Sequence, residues 1–219
     1  MGSIADNILK LKSELPSTVT LVAVSKFKSA DDILEAYGAG QRDFGENRPQ
    51  ELAAKAAVLP ADIRWHFLGH LQTNKVKLVV PHASLIHSVD SERLLAEIDR
   101  VSRALGKVSD CLLEIHIASE STKQGFSPEE ALALAARARE FANVRLRGVM
   151  GMATFTDDAA QVRSEFRTLK ALSLRMQALS PDYGLVSMGM SQDWPLAVEE
   201  GTTIVRIGTS IFGKRQYAI

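Results

Sequence analysis

Hydrophobic positions along this chain follow two alternating rhythms. Strand signals recur at Leu21–Ser25, Arg42–Gly45, Ile63–Leu68, Ser84–Val89, Cys111–Ala118, Val144–Met152, Gly184–Met188 and Thr203–Ile207, the first of them a continuous apolar run of the kind left by a strand buried on both faces. Between them the apolar period lengthens to that of a helix. Leu94, Leu95, Ile98, Val101 and Leu105 form one stripe over Ser91–Leu105, and Val162, Phe166, Leu169, Met176 and Leu179 form another over Asp158–Leu179. Ser127-Pro128-Glu129-Glu130 places a Ser N-cap, a Pro at the first helical position and a Glu at the third, which marks a helix start. Ile4–Leu15 reads as a further amphipathic helix, ended by Pro16. The order is βα repeated. Eight strands alternating with helices in a chain of 219 residues predict a closed (β/α)8 barrel with an additional N-terminal helix. An open doubly wound sheet is the alternative. Its dinucleotide-binding form wants G-x-G-x-x-G after the first strand, where this chain has Ser25-Lys26-Phe27-Lys28-Ser29. No low-complexity linker or charge block divides the sequence, so residues 1–219 read as one domain.

Composition narrows the function classes. Twenty-six basic residues balance twenty-six acidic ones, so no whole-molecule field draws nucleic acid or an anionic membrane. The single cysteine, Cys111, opens an apolar strand and has no partner for a disulfide or a Cys-rich metal site; inert packing is its default role. Nothing at the N-terminus resembles a signal peptide, and no apolar run approaches the ~20 residues needed to cross a bilayer. A cytoplasmic protein is expected. With no long exposed apolar stripe to argue for assembly, a monomer is the default.

Candidate chemistry gathers at the strand ends. Lys26 closes the apolar run Leu21-Val22-Ala23-Val24-Ser25, and a lysine partly desolvated at a strand mouth is disposed to act as a free amine toward a carbonyl compound. Taken alone, it reads more readily as a lysine snorkelling into water. Farther along, Val205-Arg206-Ile207-Gly208-Thr209-Ser210 and Ser187-Met188-Gly189-Met190-Ser191-Gln192-Asp193 each run from a strand into glycine and a hydroxyl residue. That form suits backbone N–H groups aimed at a phosphate. In a barrel the C-terminal strand ends converge, so Lys26, Ser191 and Arg206–Thr209 would meet around one phosphate-bearing aldehyde.

Other polar residues have competing readings. His66 and His70 are four apart, but on a strand that spacing does not make a metal-binding fan; structural or cofactor-adjacent roles are expected instead of zinc. Gln72-Thr73-Asn74-Lys75 is either an anion site at a helix start or a solvated cap. His87 and His116 are candidate acid–base groups or hydrogen-bonded barrel histidines. Lys123 is a second candidate amine or a solvated loop lysine.

Seven ordered motifs give the sequence a family likeness: Leu-Val-Ala-Val-Ser-Lys (21–26), Phe-Gly-Glu-Asn (44–47), Trp-His-Phe-Leu-Gly-His-Leu-Gln-Thr-Asn-Lys (65–75), Glu-x-x-Lys-x-Gly (120–125), Arg-Gly-Val-Met (147–150), Met-Gly-Met-Ser-x-Asp (188–193) and Val-Arg-Ile-Gly-Thr-x-Ile-Phe-Gly (205–213). With them the chain resembles the pyridoxal phosphate homeostasis proteins, whose barrel is similar to the N-terminal domain of bacterial alanine racemase. The resemblance implies that Lys26 holds pyridoxal 5′-phosphate as a Schiff base, that Ser191, Gly208 and Thr209 hold its phosphate, that Arg206 faces the pyridine nitrogen, and that Asn47 lies near the ring. His116 departs from the pattern, standing where the family more usually carries Asn. The implied function is that of a carrier or buffer of the cofactor, supplying apoenzymes and lacking robust catalysis of its own. The alternative is a racemase or related amino-acid enzyme. Such an enzyme adds a second, β-rich domain with a catalytic tyrosine, and Tyr217 is too close to the last turn to be its equivalent. A barrel that binds some other phosphate ester without covalent chemistry is a third possibility.

Overall fold

Eight parallel strands pair in chain order and close on themselves as a barrel in a computed structural model that describes residues 2–119 and 124–213. The strands are β1 (Thr20–Val24), β2 (Asp43–Glu46), β3 (Arg64–Phe67), β4 (Ala83–Val89), β5 (Ser109–Ile115), β6 (Val144–Gly151), β7 (Leu185–Ser187) and β8 (Ile204–Ile207). Closure is made where β1 lies beside β8, with Leu21 opposite Val205 and Ala23 opposite Ile207. Each strand lies within a few residues of a strand signal in the sequence; the helix-facing side is apolar, as a parallel sheet covered by helices requires.

The helices are α1 (Ile4–Glu14), α2 (Ala30–Gly38), α3 (Pro49–Ala56), α4 (Val76–Val79), α5 (Glu92–Ala104), α6 (Pro128–Ala136), α7 (Ala159–Gln177), α8 (Trp194–Glu199) and α9 (Thr209–Phe212). Ser3, Ser29 and Ser127 each cap a helix through a reciprocal bond with the acid three residues on, Asp6, Asp32 and Glu130. These are the caps the polar positions call for, and they satisfy first-turn N–H groups that would otherwise need water.

Two apolar shells result. The larger fills the space between strands and helices, with Phe44, Phe67 and Phe166 fully buried; burying a side chain of that size contributes about 1.5–3 kcal/mol. The smaller lies inside the barrel and consists of Val22, Leu85, Leu112, Met150 and Ile204. Cys111 is buried and burial pushes its thiol pKa up, as an inert packing role requires.

Three expectations need correction. Leu105 and Leu179 do not extend their stripes: both lie past the last residue of their helices and are 51% and 52% exposed. The run Cys111–Ala118 is strand only to Ile115, where Phe126 takes up the pairing by a bridge to Ile115. Within Gln72–Lys75, Thr73–Lys75 is a 3₁₀ turn leading into four-residue α4, and the Gln72 side chain makes no cap bond. Lys123 and most of the 120–125 motif lie outside the described residues, as does Tyr217. Among the described residues no helix is long and apolar enough to cross a membrane.

Candidate functional site

At the C-terminal mouth of the barrel a cavity of about 530 Å³ is lined by Lys26, Ser191, Arg206, Gly208 and Thr209, expected there from the strand ends, and by Asn47, which the family resemblance added. Its apolar wall is Val24, Leu68, Met150, Met152 and Phe155. The volume lies within the range of small-molecule sites, and so does the composition, an apolar body with a few convergent polar groups.

Lys26 sits two residues beyond the end of β1, half-buried. Its neighbours on both sides are clamped. Lys55 Nζ donates to the carbonyl oxygen of Ser25 at 2.7 Å, to Glu46 Oε1 at 2.7 Å and to Glu51 Oε1 at 2.6 Å. Ser25 Oγ donates to Glu46 at 2.6 Å, and the Phe27 N–H donates to Glu51 at 2.6 Å. Phe27 has φ +63°, the left-handed region that costs a non-glycine residue energy, and the Glu51 bond helps to hold it there. Burial pushes the Glu46 carboxyl pKa up, while Lys55 and Ser25 pull it down. The sequence places Glu51 and Lys55 one turn apart on α3, which puts both beside the same strand end.

The opposite wall is two loops tied together. The Gly208 N–H donates to Ser191 Oγ at 3.3 Å, and the Arg206 N–H donates to the Gly189 carbonyl oxygen at 2.9 Å. Gly189 has φ +94°, and a Cβ there would lie 2.6 Å from that of Ala197, so the position requires glycine. Thr209 and Ser210 open α9, while the Ile211 and Phe212 N–H groups already donate to the Gly208 carbonyl oxygen at 3.0 and 2.9 Å. Across the cavity, Asn47 Oδ1 is a buried acceptor with no hydrogen-bond partner among the described residues. Gly69 lets the chain pass close by: a Cβ on it would stand 2.1 Å from the Asn47 carbonyl oxygen.

Arg206 is buried. Its Nη1 donates to Ser187 O at 2.7 Å and to Ser187 Oγ at 2.6 Å, and its Nη2 donates to Gly151 O at 3.0 Å. Burial lowers its pKa to about 10, against the raising influence of Asp193 and Glu114, so it remains a cation at neutral pH. Glu114, on β5, is pushed up to about 6 by burial and by Asp90, with Arg206 and His70 opposing.

The histidines divide. His66 and His87 are buried and 2.8 Å apart, Nδ1 to Nε2. His66 Nε2 also meets Asp43 Oδ1 at 3.1 Å, and His87 Nδ1 meets Ser187 Oγ at 2.9 Å. Both are hydrogen-bonded barrel histidines. His70 points elsewhere, to Asp90 at 3.0 Å, so the i, i+4 pair does not converge. His116 lies with Glu114 in a smaller neighbouring cavity that shares Met152, Phe155 and Met190 with the main one. Among the described residues no three His, Cys, Asp or Glu side chains form a metal-binding group.

An amine, a buried cation, hydroxyl and backbone N–H donors on one wall, and an unsatisfied acceptor on the other fit a planar phosphate-bearing aldehyde. A ligand phosphate supplies acceptors for the loop donors. Sequence reasoning missed the support: Glu46, Glu51 and Lys55 behind Lys26, and Ser187 behind Arg206. The spacing of Glu51 and Lys55 was visible, but nothing in the sequence says that the pair faces Ser25.

The alanine racemase N-terminal domain family model matches residues 1–216 of this chain. A pyridoxal phosphate homeostasis protein of Pseudomonas aeruginosa is 38% identical over 229 residues, covering 99% of this chain and 98% of that protein. Among solved structures, PipY of Synechococcus elongatus PCC7942 in its form without PLP superposes with a TM-score of 0.91 at 41% identity. Its form with PLP bound gives 0.87 at 40%. Each comparison spans 96% of this chain and 100% of that one.

Proposed function

This chain belongs to the pyridoxal phosphate homeostasis proteins, within the alanine racemase N-terminal domain family, and we propose that it binds pyridoxal 5′-phosphate at the barrel mouth and carries or buffers it. When bound, the cofactor supplies an aldehyde that condenses reversibly with amines. In this reading Lys26 is the amine that holds it, Ser191, Gly208 and Thr209 bind the phosphate, Asn47 takes a donor at the ring edge, and Arg206 donates to the ring nitrogen. The convergence of these six residues on one cavity carries the reading.

Two features favour holding over catalysis. Arg206 is a buried cation already committed to Ser187 and Gly151; a permanent positive charge opposes protonation of the ring nitrogen and weakens the ring as an electron sink. The cavity also lacks an evident second base. Among the described residues that line it there is no Tyr, His, Asp or Glu, whereas a two-base racemisation needs an acid–base group on each face of the substrate. On this account the whole chain acts as one cytoplasmic, monomeric binding unit, with the cofactor and the apoenzymes that need it as partners and without robust turnover of its own.

The test is to incubate the loaded protein in deuterated water with L-alanine and a panel of other L-amino acids. Neither racemised product nor α-deuterium is expected at rates approaching ordinary turnover, ~1–10³ s⁻¹. The same preparation is expected to restore activity to a cofactor-free pyridoxal phosphate enzyme. Fast α-deuteration that disappears in Lys26→Ala contradicts the carrier reading in favour of the racemase-type alternative.

A further inference from the structure

Barrel interiors of this class are ordinarily filled by branched apolar side chains. Here a row of polar side chains, Asp43, His66, His87, Ser187 and Arg206, crosses the interior from the N-terminal end of β2 to the cavity. Every link is within hydrogen-bond distance, and one order of protons satisfies them all. Burial pushes the Asp43 carboxyl up, but His66 and Arg64 outweigh it and hold the pKa at about 2. Asp43 is therefore an anion that can only accept, and His66 donates to it from Nε2. In this order the other nitrogen, His66 Nδ1, accepts from His87 Nε2. His87 is neutral, because full burial above all pushes its pKa well below the usual imidazole range. Its Nδ1 accepts the Ser187 hydroxyl proton. With that proton engaged, Ser187 Oγ offers only lone pairs to Arg206 Nη1. In the opposite order, with His66 Nδ1 and then His87 Nδ1 donating, the two lone pairs of Ser187 Oγ would take both His87 and Arg206, and the hydroxyl proton would have no acceptor within the row.

We infer that Asp43, His66, His87 and Ser187 are positioning residues that hold Arg206 as a fixed donor, making the site selective for a pyridine ring with a free lone pair on its nitrogen. This rests on the proposed placement of the ring against Arg206. A guanidinium has five N–H groups and no acceptor. Bonds to Ser187 O, Ser187 Oγ and Gly151 O engage three of them and fix the plane. An arginine held this way cannot turn to suit a ligand that has nothing to accept with, and a buried charged donor left unpaired is costly.

The 1-deaza analogue of pyridoxal phosphate, with C–H in place of the ring nitrogen, is the probe. Affinities for both ligands are measured by absorbance titration on the unmutated protein, Ser187→Ala and His87→Leu, with melting temperatures recorded. The unmutated protein is expected to prefer pyridoxal phosphate by roughly tenfold or more. Both variants are expected to shrink that preference to within about threefold, while keeping the preference for pyridoxal phosphate over unphosphorylated pyridoxal. A role in packing alone would weaken both ring analogues in parallel, so an undiminished preference in the variants overturns the inference and leaves the ring placement standing. Equal affinity in the unmutated protein overturns both. Should His87→Leu fail to fold, Ser187→Ala, which removes one hydroxyl, decides the matter.

Discussion

Ser191, on the loop after β7, and Thr209, at the start of α9 after β8, both line the cavity, and Ser191 already accepts the Gly208 N–H. A hydroxyl oxygen that accepts from the protein still has its own proton to give, and a phosphate oxygen is the partner that makes such a bond charge-assisted. Ser191→Ala and Thr209→Ala should therefore each weaken pyridoxal phosphate by about 1.5–3 kcal/mol and leave unphosphorylated pyridoxal nearly unaffected, as checked by paired titrations. Equal losses for both ligands would remove these loops from the phosphate site. At this scale the sequence was informative where chemistry sits next to a strand end. Lys26, Ser191, Arg206, Gly208 and Thr209 each follow a recognisable apolar run, whereas Ser187 and Asp43 look like ordinary polar punctuation. Their importance comes from neighbours far away in sequence: His87 and Ser187 meet across a separation of 100 residues.

Among the elements, β1, β2 and α3 form one mechanical unit around Lys26. Glu46 at the end of β2 is fully buried, and Lys55 on α3 is its counter-charge as well as the donor to Ser25. Removing one member of a buried ion pair strands the other, at a cost of roughly 3–5 kcal/mol. Lys55→Met should lower stability by that order in urea unfolding and should also slow cofactor loading, since the turn that carries Lys26 loses its anchor. Glu46→Leu added to Lys55→Met should recover part of the stability and none of the loading. A double variant that loads at the unmutated rate would show that the ion pair stabilises the barrel without positioning Lys26. The helices and strands themselves were legible, because buried parallel strands and capped amphipathic helices leave strong periodic signals. Their ends were less so. Leu105 and Leu179 continue the apolar period but lie beyond their helix ends, where no neighbouring element covers them, and the strand ending at Ile115 is limited by pairing with Phe126 rather than by composition.

The closed barrel brings Glu114 on β5 into the field of Arg206 and Asp90, and this has a consequence for stability. Glu114 is buried, and its pKa of about 6 in the folded state lies above the ordinary 4.5. The folded state therefore holds the Glu114 proton more tightly than the unfolded chain, so the contribution is fully favourable below pH 4.5 and is lost as pH rises through 6. The loss amounts to about 2 kcal/mol. Glu114→Gln in the cofactor-free protein should be more stable than the unmutated chain by about that amount at pH 7.5 and should show no such gain near pH 4, as read from urea unfolding at both values. A gain independent of pH would point to packing instead. The same convergence underlies the central claim, that the barrel collects one amine and one phosphate-binding wall around one cofactor. The most direct test is to load the protein with pyridoxal phosphate, reduce with borohydride, digest, and map the modified lysine by mass spectrometry. The cofactor is expected on Lys26, and Lys26→Ala is expected to stay folded yet yield no reducible adduct. A cofactor found mainly on Lys75 or Lys123 in the unmutated protein would contradict the account.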